Sequence, residues 1–342
     1  MATSQKPVLI DPSLFDPAII KPEVHAFNQK LTDIMKGAPR WYEVGAAKYR
    51  LMRARGETPL PATVLLDSAE STNIPSRDSG REIPCRILKP TNGKQVTGVY
   101  MHIHGGGWTL QTEASQDVVL QDLANTNGVV MFSVGYRLAP EDPFPAGPND
   151  CYDAAEWLVD NAQSKFGVPL KYLGGESAGG HLSMLVLLHM LQHTDSKYSS
   201  FGFKGLILHY GAYDMNWTPS TFLFDPPDPL VLNRDIMAHY SDAFLPGMSY
   251  EEKRRPSVSP LFADFNSLRG RLPPALFTCG TSDCLLDDTM FMSTKYHMAG
   301  AETEVLIVPG GCHGFCMFPK DTEGAQADVA MERVAKFIKT HQ

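Results

Sequence analysis

Residues 172–185 read YLGGESAGGHLSML, and they surround one serine, Ser177, with four glycines and an alanine. Glycine costs roughly 1 kcal/mol relative to alanine inside a helix, so a cluster this dense indicates a geometric requirement. Its centre, GESAG at 175–179, matches G-x-S-x-G, a sharp strand-to-helix turn that exposes a serine hydroxyl above a sheet. The stretch therefore predicts a strand, a strained turn at Ser177 and a helix, with small neighbours because larger side chains would collide with the adjacent strand and helix.

Two other interpretations of this stretch involve no catalysis. A glycine-rich strand-to-helix turn needs no chemistry, and G-x-S-x-G occurs by chance. A phosphate-binding loop is less favoured, because the Gly-Lys-Ser/Thr ending that it requires is missing. The serine therefore needs partners elsewhere in the chain.

Short apolar runs bounded by Gly, Pro and Asn recur from about residue 63 onward. Several are apolar at successive positions, as in strands that are covered on both faces, and helical stretches separate the later ones. We therefore expect an α/β fold with a mostly parallel eight-stranded sheet flanked by helices. The eight runs are TVLLDS (63–68), EIPCRIL (82–88), TGVYMHIHG (97–105), GVVMFSVGY (128–136), PLKYLGG (169–175), KGLILHYG (204–211), PALFTCG (274–280) and TEVLIVPG (303–310).

Two regions fall outside this alternation. Residues 23–55 have apolar positions three and four apart, typical of helix, with breaks at Gly37 and Pro39. Residues 215–273 form a long connection rich in Pro, Phe and Tyr, with a helix expected at 231–244. Connections this long usually cover something, so the two regions are predicted to form a helical lid.

The resulting domain division has three parts. We expect an N-terminal helical cap segment at 1–60, an α/β catalytic domain at 61–214 and 259–342, and a second cap segment inserted at 215–258.

The stretch MHIHGGGW at 101–108 is a candidate partner of the serine. Successive glycines leave backbone N–H groups bare for a substrate oxygen, and such donors are worth about 3–4 kcal/mol each in the barrier of an acyl transfer. A flexible loop is the alternative. His102 and His104 share a face of the predicted strand, but no acidic or Cys ligand set accompanies them, so metal is not favoured.

A base and an orienting acid must complete the set, because a serine hydroxyl alone is a weak nucleophile. In strand-to-helix turns of this kind the chain order is serine, acid, histidine. Asp283 lies nearest the end of a strand, whereas Asp287 and Asp288 are expected to begin the next helix, where the helix dipole favours acidic residues. His313 follows the final strand between Cys312 and Gly314 and is the best candidate base.

Three other histidines are weaker candidates. His189 and His193 are four residues apart on the predicted helix, a metal-ligand spacing, but no third ligand is evident. His181 directly follows the turn and is expected to be structural or on the surface.

Composition limits the remaining function classes. The 342 residues carry a net charge of −8 with no long Lys/Arg run, which excludes a nucleic-acid partner. The six cysteines are scattered, as in a reduced protein. The N-terminus lacks a basic segment followed by an apolar core, and no apolar run approaches the roughly 18 residues that span a bilayer. We therefore expect a cytoplasmic protein with no stable membrane insertion.

With these residues, the sequence from about residue 80 onward resembles the hormone-sensitive-lipase-like family of α/β-hydrolases. The resemblance rests on five blocks in the family's order. They are HGGGW (104–108), YRLAPEDPFPAGPND (136–150), GESAGG (175–180), SDCLLDD (282–288) and HGF (313–315). Two departures are Cys284, where the family usually has proline, and Glu176 in place of the more frequent aspartate.

The resemblance implies an α/β-hydrolase fold with a helical cap and a serine carboxylesterase. We expect it to act on short- to medium-chain acyl esters, because no exposed apolar face suggests the interfacial action of a lipase. It implies the catalytic triad Ser177, Asp283 and His313, and no cofactor or metal. The oxyanion donors would be the N–H groups of Gly106, Gly107 and Ala178. Candidates to line the substrate pocket are Trp108, Trp217, Phe222, Phe224 and Phe315, and the alternative for each is that it fills the core.

Other activities remain open under this resemblance. An acyl-enzyme can also be resolved by alcohols or amines, so an acyltransferase, amidase or lactonase would use the same triad. The family also includes hormone receptors that have lost the catalytic histidine, and the presence of His313 disfavours that alternative. The partner expected is a small-molecule ester, and a homodimer is an available assembly because dimers are common in the family.

Overall fold

Eight strands form one sheet in the computed structural model, which describes residues 10–60, 62–226 and 229–342. Their order in the sheet is β1-β2-β4-β3-β5-β6-β7-β8; the pairs β1–β2 and β2–β4 are antiparallel and the other five pairs are parallel. The strands are β1 (Glu70–Pro75), β2 (Glu82–Leu88), β3 (Gly98–Ile103), β4 (Val129–Val134), β5 (Leu170–Glu176), β6 (Gly205–His209), β7 (Ala275–Ser282) and β8 (Thr303–Cys312).

Helices cover both faces of this sheet. The α-helices are α1 (Pro22–Met35), α2 (Trp41–Val44), α3 (Ala46–Ala54), α4 (Asp117–Asn127), α5 (Ala146–Phe166), α6 (Ala178–Leu191), α7 (Ser196–Ser199), α8 (Pro219–Leu223), α9 (Arg234–Phe244), α10 (Tyr250–Lys253), α11 (Leu286–Met298) and α12 (Ala327–Thr340). Core residues of α5, α6 and α11 pack on one face of the sheet, and those of α4 and α12 pack on the other. The α/β fold with an eight-stranded, mostly parallel sheet is therefore confirmed.

Burial on both faces explains why the central strands could be predicted. All six residues of β3 and all six of β4 are buried. Successive β3 side chains alternate between the two cores, with Val99 and Met101 on one side and Tyr100 on the other. Strands covered on both faces need an apolar side chain at each position, which produces continuous apolar runs in the sequence.

The position of the first strand is the exception, and the prediction of a strand at 63–68 is wrong. The strand lies at Glu70–Pro75, where Ile74 is the one fully buried side chain. β1 is an edge strand with one neighbour, so most of its side chains face solvent and its sequence, ESTNIP, carries no apolar run. Val64 and Leu65, in the run that resembles a strand, are more than half exposed.

The N-terminal helices and the long connection after β6 pack against each other above the sheet. The indole of Trp41 in α2 stacks on the ring of Tyr240 in α9, with centroids 5.2 Å apart. The hydroxyl of Tyr42 donates to Asp235 at 2.7 Å. The predicted helix at 231–244 is confirmed as α9. Residues 1–9 and residue 61, which bound two of the predicted segments, lie outside the described residues.

Candidate active site

Ser177 lies in the turn between β5 and α6 with a backbone conformation of φ 56° and ψ −118°. Positive φ is unusual for a residue with a side chain, and this turn is fixed by a hydrogen bond of 2.9 Å from the Ser177 amide to the carbonyl of His209. A Cβ atom at Gly175 or Gly179 would overlap the carbonyl oxygen of Ile103 on the neighbouring strand. The small residues around the serine are therefore required by close approach of backbones, as the sequence predicts.

The structure brings Ser177, His313 and Asp283 into one hydrogen-bonded chain. The Nε2 atom of His313 lies 2.9 Å from the Ser177 Oγ, and its Nδ1 atom lies 2.9 Å from the Asp283 Oδ2. The Asp283 side chain is completely buried, and its other oxygen accepts the amide of Leu285 at 2.9 Å. A carboxylate in this position fixes the imidazole so that Nε2 faces the serine hydroxyl as an acceptor, which is the arrangement that activates a serine.

The sheet topology accounts for this convergence. Ser177, Asp283 and His313 follow the carboxyl ends of the parallel strands β5, β7 and β8, and Gly105 to Gly107 follow β3. Ligands bind at this edge of open α/β sheets. Asp287 and Asp288 lie in the first turn of α11, so their assignment to a helix start is confirmed.

Two glycines near the serine have unpaired amides. Gly106 and Gly107 have φ of 95° and 60°, and within the described part of the chain no acceptor pairs with their N–H groups. Ala178 is the first residue of α6, where an amide has no partner within the helix. A Cβ at Gly107 would overlap the ring of Tyr240. The loop thus offers bare donors that side chains at these positions would obstruct.

Glu176 organises the loop from beneath. Its carboxylate is buried and accepts the Gly105 amide at 2.8 Å, the Nε2 of His102 at 3.0 Å and a short hydrogen bond from Gln116. Burial raises the pKa of this carboxyl, but attraction to His102 and the three hydrogen bonds outweigh burial and hold the pKa below its usual value. From the sequence, Glu176 stands out only as a departure from aspartate. A charged residue at the end of a buried strand nevertheless indicates that its side chain has specific polar partners.

Ser177, His313 and the glycines open into a cavity of about 480 Å³. Residues of α2, α3 and α9 also line this cavity, as does the loop at 62–64. Of the five aromatic residues predicted to line the pocket, Trp108 does so. Its ring stacks on Phe244 with centroids 4.7 Å apart, and its Nε1 donates to Nδ1 of His181 at 3.0 Å.

The other four aromatic residues are not among the described residues that line the cavity, and their predicted lining role is corrected. They are Trp217, Phe222, Phe224 and Phe315. The segment that carries the first three is held on α11, because Thr218 donates to Asp288 at 2.6 Å and the Ser220 amide donates to Asp287 at 2.9 Å. Half of the Phe222 side chain is exposed, whereas Phe315 is fully buried in the core.

Three buried histidines near the site are structural. Burial lowers the pKa of His104, His181 and His209 to about 4. His181, expected to be structural or on the surface, is completely buried and bonds the carbonyl of Val258 through Nε2 at 2.8 Å. His102 and His104 do not converge on one point, since His102 bonds Glu176 and the Nδ1 of His104 bonds the Gly105 carbonyl.

The pair His189 and His193 has a third partner that the sequence did not reveal. Glu156 of α5 lies 2.7 Å from the Nε2 of His189 and 3.5 Å from the Nε2 of His193. The Nδ1 of His193 accepts the amide of Asp195 at 2.9 Å, so the proton of a neutral His193 ring resides on Nε2, which then faces Glu156 as a donor. This protonation favours a hydrogen-bonded cluster over metal ligation at that nitrogen.

Comparisons with known proteins identify the family and the fold of this chain. Residues 100–317 match the family model of the alpha/beta hydrolase fold. Carboxylesterase NlhH of Mycobacterium tuberculosis is 26% identical over 316 residues, covering 89% of this chain and 92% of the relative. Carboxylic ester hydrolase LipN of the same species is 32% identical over 240 residues, covering 68% and 61%.

A solved structure, the hyperthermophilic esterase from the archaeon Pyrobaculum calidifontis, is 27% identical with a TM-score of 0.77, over 94% of this chain and 98% of that one. In the described part of this chain, no helix has the length and apolar character needed to cross a bilayer. From the family match, the order of the motifs and the shared fold, the chain belongs to the hormone-sensitive-lipase-like family of α/β-hydrolases and is a hydrolytic enzyme.

Proposed function

We propose that this enzyme is a serine carboxylesterase that works through an acyl-enzyme on Ser177. The observation that carries the proposal is the continuous hydrogen-bond chain from the Ser177 hydroxyl through His313 to the buried Asp283 carboxylate, at 2.9 Å for each link. Relatives named as carboxylesterases and ester hydrolases support the same reaction.

In the first half-reaction, Nε2 of His313 removes the Ser177 proton as Oγ attacks the ester carbonyl carbon. Asp283 stabilises the imidazolium that forms and keeps the ring oriented. His313 then gives its proton to the departing alkoxide, the carbon–oxygen bond breaks, and the acyl group stays on Ser177. In the second half-reaction, His313 takes a proton from water, the resulting attack releases the carboxylic acid, and Ser177 regains its proton.

The oxyanion formed in each half-reaction is assigned to the amides of Gly106, Gly107 and Ala178. Each such donor contributes about 3–4 kcal/mol to lowering the barrier. The support for this assignment is that these amides have no partner among the described residues and that two of them belong to residues lining the cavity beside Ser177.

The cap is assigned to residues 1–60 and 215–258, with 61–214 and 259–342 as the catalytic domain. Support comes from the cavity that contains Ser177, which Trp41 and Tyr49 of the first segment and Met237 and Tyr240 of the second also line. A cavity of about 480 Å³ favours short- to medium-chain acyl esters.

Location in the cytoplasm is supported by six cysteines that are all free and buried. A homodimer stays a prediction for a sizing experiment. Acyl transfer, amide hydrolysis and lactone hydrolysis would use the same triad. Analysis of the reaction products distinguishes them from ester hydrolysis.

The test is hydrolysis of 4-nitrophenyl esters from acetyl to palmitoyl by the wild type and by Ser177→Ala. We expect a rate maximum at short or medium chains and loss of turnover in the variant, with its melting temperature retained. Near-normal turnover by Ser177→Ala would refute the nucleophile, and faster cleavage of palmitoyl than of butyryl esters would refute the chain-length proposal.

A further inference from the structure

Three residues of the cap that line the cavity carry a hydrogen-bond donor with no partner among the described residues. The donors are Nη1 of Arg40, Nη1 of Arg53 and Nε1 of Trp41, each buried and without a hydrogen bond to any part of the chain that the structure describes. All three residues line the cavity that contains Ser177. A buried donor without an acceptor destabilises the fold, and more so if it is charged. An unpaired guanidinium at this place therefore indicates a ligand that supplies the acceptor.

Neither arginine is paired with a carboxylate of the described residues. Arg40 precedes α2 and Arg53 lies in the last turn of α3, and both act electrostatically on the phenol of Tyr49 between them in sequence. Burial lowers the pKa of Arg53, and the groups that oppose the shift are the phenols of Tyr49 and Tyr240 rather than an acidic residue.

The carboxylates that do line the cavity are already satisfied. Asp117 pairs with Arg86 at 2.5 Å and accepts the Leu66 amide at 2.9 Å. Glu176 accepts three hydrogen bonds within the loop beneath the site. Among the described residues, therefore, no carboxylate that lines the cavity is available to pair with Arg40 or Arg53.

We propose that the ester substrate carries a carboxylate, which Arg40, Arg53 and the indole N–H of Trp41 bind beneath α2 and α3. Arginine suits this role because its planar group donates in a fork that matches a carboxylate. The inference rests on the proposed esterase activity and specifies its substrate class. The cap would then select an ester with a fixed negative charge on its acyl or its alcohol part.

Two pairs of esters test this inference, each differing only in charge. The first is mono-4-nitrophenyl glutarate against its methyl ester, with the charge on the acyl part. The second is 4-acetoxybenzoate against its methyl ester, with the charge on the alcohol part. We expect at least tenfold higher kcat/KM for the charged member of one pair at low salt, and a smaller preference at high salt because screening weakens the attraction.

Arg53→Gln and Arg40→Gln are each expected to lower that preference about tenfold or more, mainly through a higher KM for the charged ester. Lys48→Gln is the matched control, since it removes one positive charge from the exposed face of the same helix, α3. It should leave the preference unchanged. If the preference for the charged ester is the same in the wild type and in both arginine variants, for both pairs, the inference is overturned. Turnover of the neutral esters would still support the esterase proposal in that case.

A binding measurement distinguishes failure of the carboxylate site from failure of the esterase proposal. Ser177→Ala is titrated with mono-4-nitrophenyl glutarate by calorimetry, alone and combined with Arg53→Gln. Binding that needs Arg53, in an enzyme whose wild type cleaves no ester, would support the carboxylate site and refute the esterase. If Ser177→Ala does not bind mono-4-nitrophenyl glutarate and the wild type cleaves none of the four esters, both proposals are overturned.

Discussion

Replacing Glu176 by Gln removes one negative charge from the buried hydrogen-bond network beneath the glycine loop. The carboxylate accepts from Gly105, Gln116 and His102 at once. A glutamine keeps one oxygen, which can still serve Gly105 and Gln116, but it turns an NH₂ group toward the Nε2 of His102. One charge-assisted hydrogen bond is lost and the other two are weakened to those of a neutral acceptor.

The expected cost is about 3 kcal/mol, from 1.5–3 kcal/mol for a hydrogen bond to a charged group plus the weakening of the other two. With an unfolding entropy of about 2.1 cal/mol/K per residue, the chain should melt about 4 °C lower. Displacement of the Gly106 and Gly107 amides acts on the transition state, so kcat should fall about tenfold with little change in KM.

The assay is the rate of 4-nitrophenyl acetate hydrolysis together with the melting temperature at pH 7.5. Glu332→Gln serves as the control, because it makes the same change on the exposed face of α12. Wild-type kcat and melting temperature in Glu176→Gln would refute the positioning role of this carboxylate.

Three further predictions concern pH, backbone geometry and thiols. Burial lowers the pKa of His181 to about 4, so between about pH 6.5 and 4 the unfolded chain binds a proton at this residue that the folded chain does not bind. The free energy of unfolding should therefore fall on acidification through this range, by up to about 1.4 kcal/mol per pH unit. Denaturant titrations of His181→Gln should show a weaker dependence of the free energy of unfolding on pH. Gly107→Ala places a methyl against Tyr240 at a φ of 60° and should reduce ester turnover at least tenfold, whereas Gly202→Ala, with open space around it, should not; equal rates would contradict the loop geometry. The six thiols are buried and burial raises the pKa of each, so a thiol reagent should react slowly with the folded protein, and prompt reaction would contradict this packing.

Features set by local backbone requirements could be predicted from the sequence. The turn at Ser177 needs small residues because Gly175 and Gly179 touch the Ile103 carbonyl, and that need is visible as a glycine cluster. The chain order of Ser177, Asp283 and His313 follows from strands that deliver their ends to one edge of a parallel sheet.

Features set by contacts between distant segments could not be predicted. The resemblance places Phe222 and its neighbours in the pocket, but the hydrogen bond of Thr218 to Asp288 holds their segment on α11. The partnership of Glu156 with His189 joins residues 33 apart on separate helices. An edge strand such as β1 has little apolar pattern, because only one of its faces meets the core.

The central claim is that the acyl group passes through Ser177. The most direct measurement is rapid acid quenching of the wild type during turnover of 4-nitrophenyl acetate, followed by peptide mass spectrometry. The account predicts an acetyl group on the peptide that contains Ser177, formed as fast as the first nitrophenol is released. Steady turnover with that peptide unmodified, or an acetyl group carried on another residue at the turnover rate, would contradict it.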